Sequence, residues 1–330
     1  MKTPLINLSL LLGVTILFFG GIEFGLRVTG LQTIKPNPPQ IYQKSDDERI
    51  SYELIPNISR KAYRQKITTN SLGFRSPELN PNKETVVVLG DSIAFGYGVA
   101  DDETLTERLS EHIPEYNWLN TAAPGYHLGM QTAVYETKHK QLDPTMLVLM
   151  FHYNDFEDRT GWLDDLGIIR SPDWEPTDPT CAPVNQGLLK NLPGRCWLDL
   201  NSAFYKAMKK LVNMRYANEA LDDAREKEEV EKPEDTITDE QIRAYARQLD
   251  GLLRVVPDIP RVFVIWPDRY LHDESRPKLI ANVKMRGFEV IDLYETFGNQ
   301  VEVLGWDTVH PSANAVSEAA EVIAKRLAND

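Results

Sequence analysis

The sequence predicts an α/β protein, a three-layer α/β/α sandwich around a five-stranded parallel sheet of flavodoxin-like order 2-1-3-4-5. Three observations predict it. Short apolar runs without alternation, Val86–Leu89 and Met146–Phe151 among them, are the mark of strands buried on both faces. Segments with apolar residues at helical spacing lie between those runs. Right-handed crossovers between successive parallel strands then favour the stated order.

The chain opens on a different kind of segment. Pro4 to Ile22 is nearly all apolar, interrupted by Asn7, Ser9, Thr15 and glycines, close to the ~20 residues that cross a bilayer core. Lys2 precedes it and Glu23 and Arg27 follow, which puts the N-terminus in the cytoplasm and the rest of the chain outside, in the periplasm or extracellular space. The competing reading is a cleaved signal peptide. Bulky residues around Phe18-Phe19 and no Ala-x-Ala pattern favour an uncleaved signal anchor over residues 1–30.

Residues 31–84 read as a stiff spacer with Pro36, Pro38 and Pro39, followed by a small β-containing extension marked by Tyr63, Gln65 and Ile67. The main domain spans 85–330. Its first strand ends at Gly90, so Asp91 and Ser92 fall on the loop at the strand's carboxyl end, where open α/β sheets bind ligands. The competing reading of Ser92 is a helix N-cap.

Asp101-Asp102-Glu103 opens a helix with Leu105, Leu109 and Ile113 on one face. Strand Tyr116–Leu119, the turn Asn120 to Gly125 and a helix from Leu128 follow. Met146–Phe151 leads into His152-Tyr153-Asn154-Asp155. Residues 156–235 break the β-α rhythm and read as an insertion near the site, a lid in one reading and a membrane-docking helix using Lys206, Lys209 and Lys210 in another. Thr238-x-x-Gln241 is a capping box, Arg261–Trp266 and Phe288–Leu293 are strands, and Ala313 begins the last helix.

Net charge is −13, from 36 basic and 49 acidic residues, which argues against nucleic acid as a partner. The two cysteines, Cys181 and Cys196, lie in the insertion. An exported chain can join them, which would contribute roughly 3 kcal/mol in the chain-entropy model.

The chemistry gathers at two places. Asp307-Thr308-Val309-His310 can set a carboxylate against one imidazole nitrogen and leave the other to take a proton from a serine. A lone Asp-x-x-His is a common turn; paired with Gly90-Asp91-Ser92 it becomes a candidate nucleophile system. Gly-x-Ser-x-Gly is absent around Ser92, and Gly90 to Gly98 fits neither dinucleotide nor Walker spacing. No ligand cluster suggests a metal, and no cofactor is expected.

On these residues the chain resembles the SGNH hydrolases, also called GDSL esterases and lipases. Gly90-Asp91-Ser92 matches the nucleophile block, Gly125 the second block's glycine, Asn154 the third block's asparagine, and Asp307 with His310 the last block. Ile93 stands where the GDSL enzymes carry leucine. The resemblance covers roughly residues 85–155 and 239–327. It implies Ser92 as nucleophile, His310 as base oriented by Asp307, and an oxyanion hole from the Ser92 and Gly125 N–H groups and the Asn154 amide. The implied activity is ester hydrolysis, with O-acetyl esters of envelope carbohydrates first among substrates. O-acyl transfer, lipase or thioesterase action and a non-catalytic binding role are the alternatives.

Overall fold

The computed structural model describes residues 2–32, 39–139, 142–157, 160–165, 167–173, 192–231 and 237–328. The chain starts with α1 (Lys2–Thr29). Two antiparallel pairs follow, β1 (Tyr42–Lys44) with β2 (Tyr52–Leu54) and β3 (Ser59–Ala62) with β4 (Gln65–Thr68). The core begins with β5 (Glu84–Leu89), α2 (Ser92–Phe95), α3 (Leu105–His112), β6 (Tyr116–Asn120), α4 (Leu128–Val134) and β7 (Met146–Phe151). A hairpin of β8 (Trp162–Leu163) and β9 (Ile169–Arg170) precedes α5 (Arg195–Asn201) and α6 (Ala203–Glu231). The core resumes with α7 (Asp239–Leu253), β10 (Arg261–Ile265), α8 (Ser275–Lys284), β11 (Glu289–Asp292), α9 (Tyr294–Phe297) and α10 (Ala313–Leu327).

The apolar runs pair as one parallel sheet of order β11-β10-β7-β5-β6, the flavodoxin-like order expected. Val86, Val87 and Val88 on β5 and Leu147, Val148 and Leu149 on β7 have no exposed surface. Each such side chain contributes roughly 1.5–3 kcal/mol relative to exposure, so these central strands are the stiffest support available. Helices cover both faces: α3 packs with α10, and α7 with α4 and α8. Local signals set the helix starts. The Thr238 hydroxyl accepts from Gln241 N while the Gln241 side chain accepts from Thr238 N, and the Ser312 hydroxyl accepts from Ala315 N at the head of α10.

The chain divides into two compact units. One comprises Met1–Asn37 with Glu175–Asp223, the other Pro38–Trp174 with Ala224–Asp330. The β-containing extension therefore belongs to the same unit as the sheet. Most of the insertion does not; residues 175–223 group with α1. The spacer prolines Pro36 and Pro38 lie outside the described residues. So does Cys181; its expected partner Cys196, on α5, is not a free thiol.

Candidate active site

β5 delivers the nucleophile block. After Leu89 the chain turns at Gly90, where a Cβ would come within 2.5 Å of the Ala94 Cβ. Only glycine lets α2 start so close to the strand it leaves. The cap of α2 is Asp91, whose Oδ1 accepts from Ile93 N at 2.9 Å. Ser92 is therefore not the N-cap. Its hydroxyl is left for another partner, and that partner is His310: Ser92 Oγ and His310 Nε2 are 2.9 Å apart across 218 residues of sequence.

The loop before α10 brings His310. Leu304 N donates to His310 O, Asp307 N donates to Leu304 O, and Val303 bridges to Pro311, closing residues 303–311 into one tight loop. Asp307 Oδ1 accepts from the backbone N–H groups of Val309 (2.8 Å) and His310 (2.9 Å). Its Oδ2 stands 3.0 Å from His310 Nδ1. Burial pushes the Asp307 carboxyl up, but the His310 ring and the two N–H groups outweigh it and hold it down to about 2. The carboxylate thus keeps a proton on Nδ1, and Nε2 is free to accept the serine proton.

Asn154 follows β7, next to β5 in the sheet, and its Nδ2 donates to Asp91 Oδ2 at 2.8 Å. On the other side its Oδ1 takes a hydrogen bond from His152 Nδ1 at 3.0 Å. An amide oxygen only accepts, so His152 carries its proton on Nδ1. The two contacts fix the amide's flip and leave the second Nδ2 hydrogen for a ligand. Beside them Asp155 is buried, and burial followed by repulsion from Asp91 pushes its carboxyl well above the ordinary range. Burial also raises the nearby Asp268 carboxyl, but hydrogen bonding from His272 and from the Arg269 N–H brings it below its usual value.

Gly125 is exposed on the loop leaving β6, the strand on the other side of β5. Its φ is +83°, and a Cβ there would meet the Tyr52 hydroxyl at 2.7 Å. That hydroxyl donates to Pro124 O at 2.6 Å, while the Tyr126 hydroxyl donates back to Tyr52 O at 2.6 Å. Asn120, at the end of β6, donates through Nδ2 to Ala94 O of α2 at 2.9 Å. The three blocks at the sheet's carboxyl edge are tied to one another.

Several residues around the site carry no motif. Arg75, 2% exposed, donates to the carbonyls of Phe95 (3.1 Å), Gly96 (2.6 Å) and Val99 (2.8 Å) and pairs with Asp101. It staples the loop that follows α2. Tyr97 in that loop stacks on the His310 ring, centroids 4.0 Å apart at 22°. Tyr63 lies against Tyr97 at 4.2 Å, and the Arg64 guanidinium sits 4.5 Å over Trp306. Tyr63 and Arg64 form the two-residue turn between β3 and β4 with φ of 51° and 66°. Turns of that geometry favour Asn-Gly, so the two large side chains are held there against local preference. The extension thus touches each of the loops that carry Ser92, Gly125 and His310. Of these residues the sequence marked only Tyr63, as part of the extension, and gave no signal for the contacts, which join separate segments of the chain.

Among the described residues no group of three or more His, Cys, Asp or Glu is arranged for a metal ion. What the arrangement can do is take a proton from a serine held at a strand end.

No family model matches the chain, and no curated protein matches it. Solved structures do. A carbohydrate esterase family 2 enzyme with a carbohydrate binding domain from Corynascus thermopiles (Myceliophthora fergusii) is similar at 14% identity, over 77% of this chain and 68% of that one, with a TM-score of 0.42. A member of the lipolytic protein G-D-S-L family from Veillonella parvula is similar at 13%, over 73% and 97%, with a TM-score of 0.40. The lipase/acylhydrolase from Enterococcus faecalis is similar at 13%, over 74% and 95%, with a TM-score of 0.41.

Proposed function

We propose that this chain is a serine ester hydrolase of the SGNH kind. The observation that carries the reading is the contact of Ser92 Oγ with His310 Nε2 at 2.9 Å, with Asp307 3.0 Å behind the imidazole. Ser92 attacks an ester carbonyl while His310 takes its proton; the imidazolium then returns that proton to the departing alcohol. Negative charge on the former carbonyl oxygen is met by the N–H groups of Ser92 and Gly125 and by the Asn154 amide. Water, activated by the same imidazole, clears the acyl-serine.

For the substrate we propose O-acetyl esters of envelope carbohydrate. What supports this substrate is location, since a domain exported behind α1 faces the envelope glycans. The apolar helix α1 supports membrane attachment, with the N-terminus inside and the hydrolase outside. A fluorophosphonate probe tests the chemistry. Native protein should be labelled on Ser92, and Ser92→Ala should be neither labelled nor active on p-nitrophenyl acetate. Undiminished turnover by Ser92→Ala would end the serine reading.

A further inference from the structure

α1 holds Ile6–Thr29, a stretch apolar enough to cross a bilayer. Near its end stand two charged residues one turn apart, Glu23 and Arg27, and both are committed to the insertion. Glu23 Oε2 accepts from the Ser202 hydroxyl (2.9 Å) and Phe204 N (2.8 Å), and its Oε1 accepts from Ala203 N (2.8 Å). Arg27 donates to Glu23 at 2.7 Å and to Asn201 O at 2.7 Å. A carboxylate borrowed from α1 therefore caps the head of α6, and a guanidinium caps the tail of α5. Lys209 of α6 pairs with Asp199 of α5 and sets the bend between them.

This joint fixes depth. Phe19 precedes Glu23 by four residues, about 6 Å further into the apolar stretch at 1.5 Å per residue. Its ring meets Phe204 edge to face with centroids 5.4 Å apart. From Phe204 an apolar row continues along α6 at helical spacing through Met208 and Leu211, and the adjoining α5 carries two more exposed apolar side chains, Trp197 and Leu200. Trp197 is 66% exposed, Leu211 55% and Leu200 46%. A row of large apolar side chains with no cover normally marks an interaction surface. This one begins on a ring packed against Phe19, itself 45% exposed in the apolar stretch of α1.

We infer that the bend of α5 and α6 is a membrane-seated elbow, lying in the interfacial layer of the bilayer that α1 crosses, with Trp197 at headgroup level. The inference rests on α1 remaining in the membrane. Continuity through Phe19 and Phe204 selects lipid over a protein partner, because the same surface cannot pass from hydrocarbon to a soluble protein within one ring contact.

The test uses the full chain in phosphatidylcholine–phosphatidylglycerol vesicles carrying bromine either near the headgroup or deep in the acyl chain. α1 contains no tryptophan, so quenching of emission reports other parts of the molecule. Shallow bromines should quench a component of the emission, and Trp197→Phe should lose that component. Glu23→Ala, which releases the head of α6, should lose it too while the chain stays in the vesicles. Retention of the chain through carbonate extraction reports α1 separately. Release by carbonate overturns the anchor and the elbow together. Retention with equal quenching in native protein and Trp197→Phe overturns the elbow alone.

Discussion

Asp91→Asn separates a structural carboxylate from one that aims an oxyanion donor. Asp91 has two tasks on two oxygens: Oδ1 caps α2 through Ile93 N at 2.9 Å, and Oδ2 takes Asn154 Nδ2 at 2.8 Å. An asparagine has one oxygen for both. The backbone N–H cannot move, so the oxygen stays with Ile93 and an NH2 group is turned toward the NH2 of Asn154. Two donors repel, and the Asn154 amide must swing away from the site. One oxyanion donor is then lost, about 3 kcal/mol of transition-state stabilisation, or roughly 10²-fold in kcat. Stability should change far less. The lost charge-assisted bond, about 1.5–3 kcal/mol, is offset because removing the Asp91 charge relieves its repulsion of Asp155. The assay is kcat and KM on p-nitrophenyl acetate beside a urea denaturation curve. A large fall in kcat with KM and the unfolding midpoint near native is expected. A kcat unchanged by the substitution would refute the aiming role, and a collapse of the midpoint with kcat preserved in the folded fraction would make Asp91 a structural residue only.

Three further outcomes follow from the same geometry. Tyr97→Leu removes a ring face from the imidazole that becomes charged during turnover; a contribution of about 0.5–2 kcal/mol should appear as a roughly 2–30-fold fall in kcat, read by steady-state kinetics. Arg75→Met leaves three carbonyls and Asp101 without their buried partner and should lower the unfolding free energy by about 3–5 kcal/mol in urea titration. The folded-state value of Asp307, about 2, lies below its unfolded one, so its stabilisation is full above the unfolded value and fades as pH falls through about 2. The difference in unfolding free energy between native protein and Asp307→Asn should accordingly shrink by about 2 kcal/mol between neutrality and pH 2, as measured by denaturation at stepped pH.

The strands and the candidate site were legible because both are written locally. A strand buried on two faces shows as an unbroken apolar run, and each block of the site is a short loop whose residue types are set within a few positions. Ser92 as a helix N-cap competed with Ser92 as a nucleophile at that level; in the structure Asp91 takes the cap and the Ser92 hydroxyl meets His310, far away in sequence. Arg75 and Tyr52 left no local trace, and Tyr63 marked the extension without pointing to the site. Their partners lie in Phe95 to Asp101, at Pro124 and at Tyr97, and only the fold brings these together. The insertion was opaque for the same reason. Its longest helix starts at a local cap, the Ser202 hydroxyl accepting from Tyr205 N, but its tie to α1 runs through a carboxylate 179 residues upstream that no local signal marks.

The distance along the chain from Ser92 to His310 also sets an order of events during synthesis. At 5–20 residues per second, the 218 residues between them take about 10–40 s to emerge. Throughout that interval the serine is an ordinary alcohol without a base. The residues of the Tyr63-Arg64 turn are made before it, the Arg75 staple is completed early within it by Asp101, and the imidazole arrives with only α10 still to follow. Reactivity therefore switches on at the end of production, after nearly every residue that restrains the nucleophile already exists. On the proposed function, a chain truncated before residue 310 would carry Ser92 without its base, so the position of His310 would itself hold back reactivity until synthesis is nearly complete.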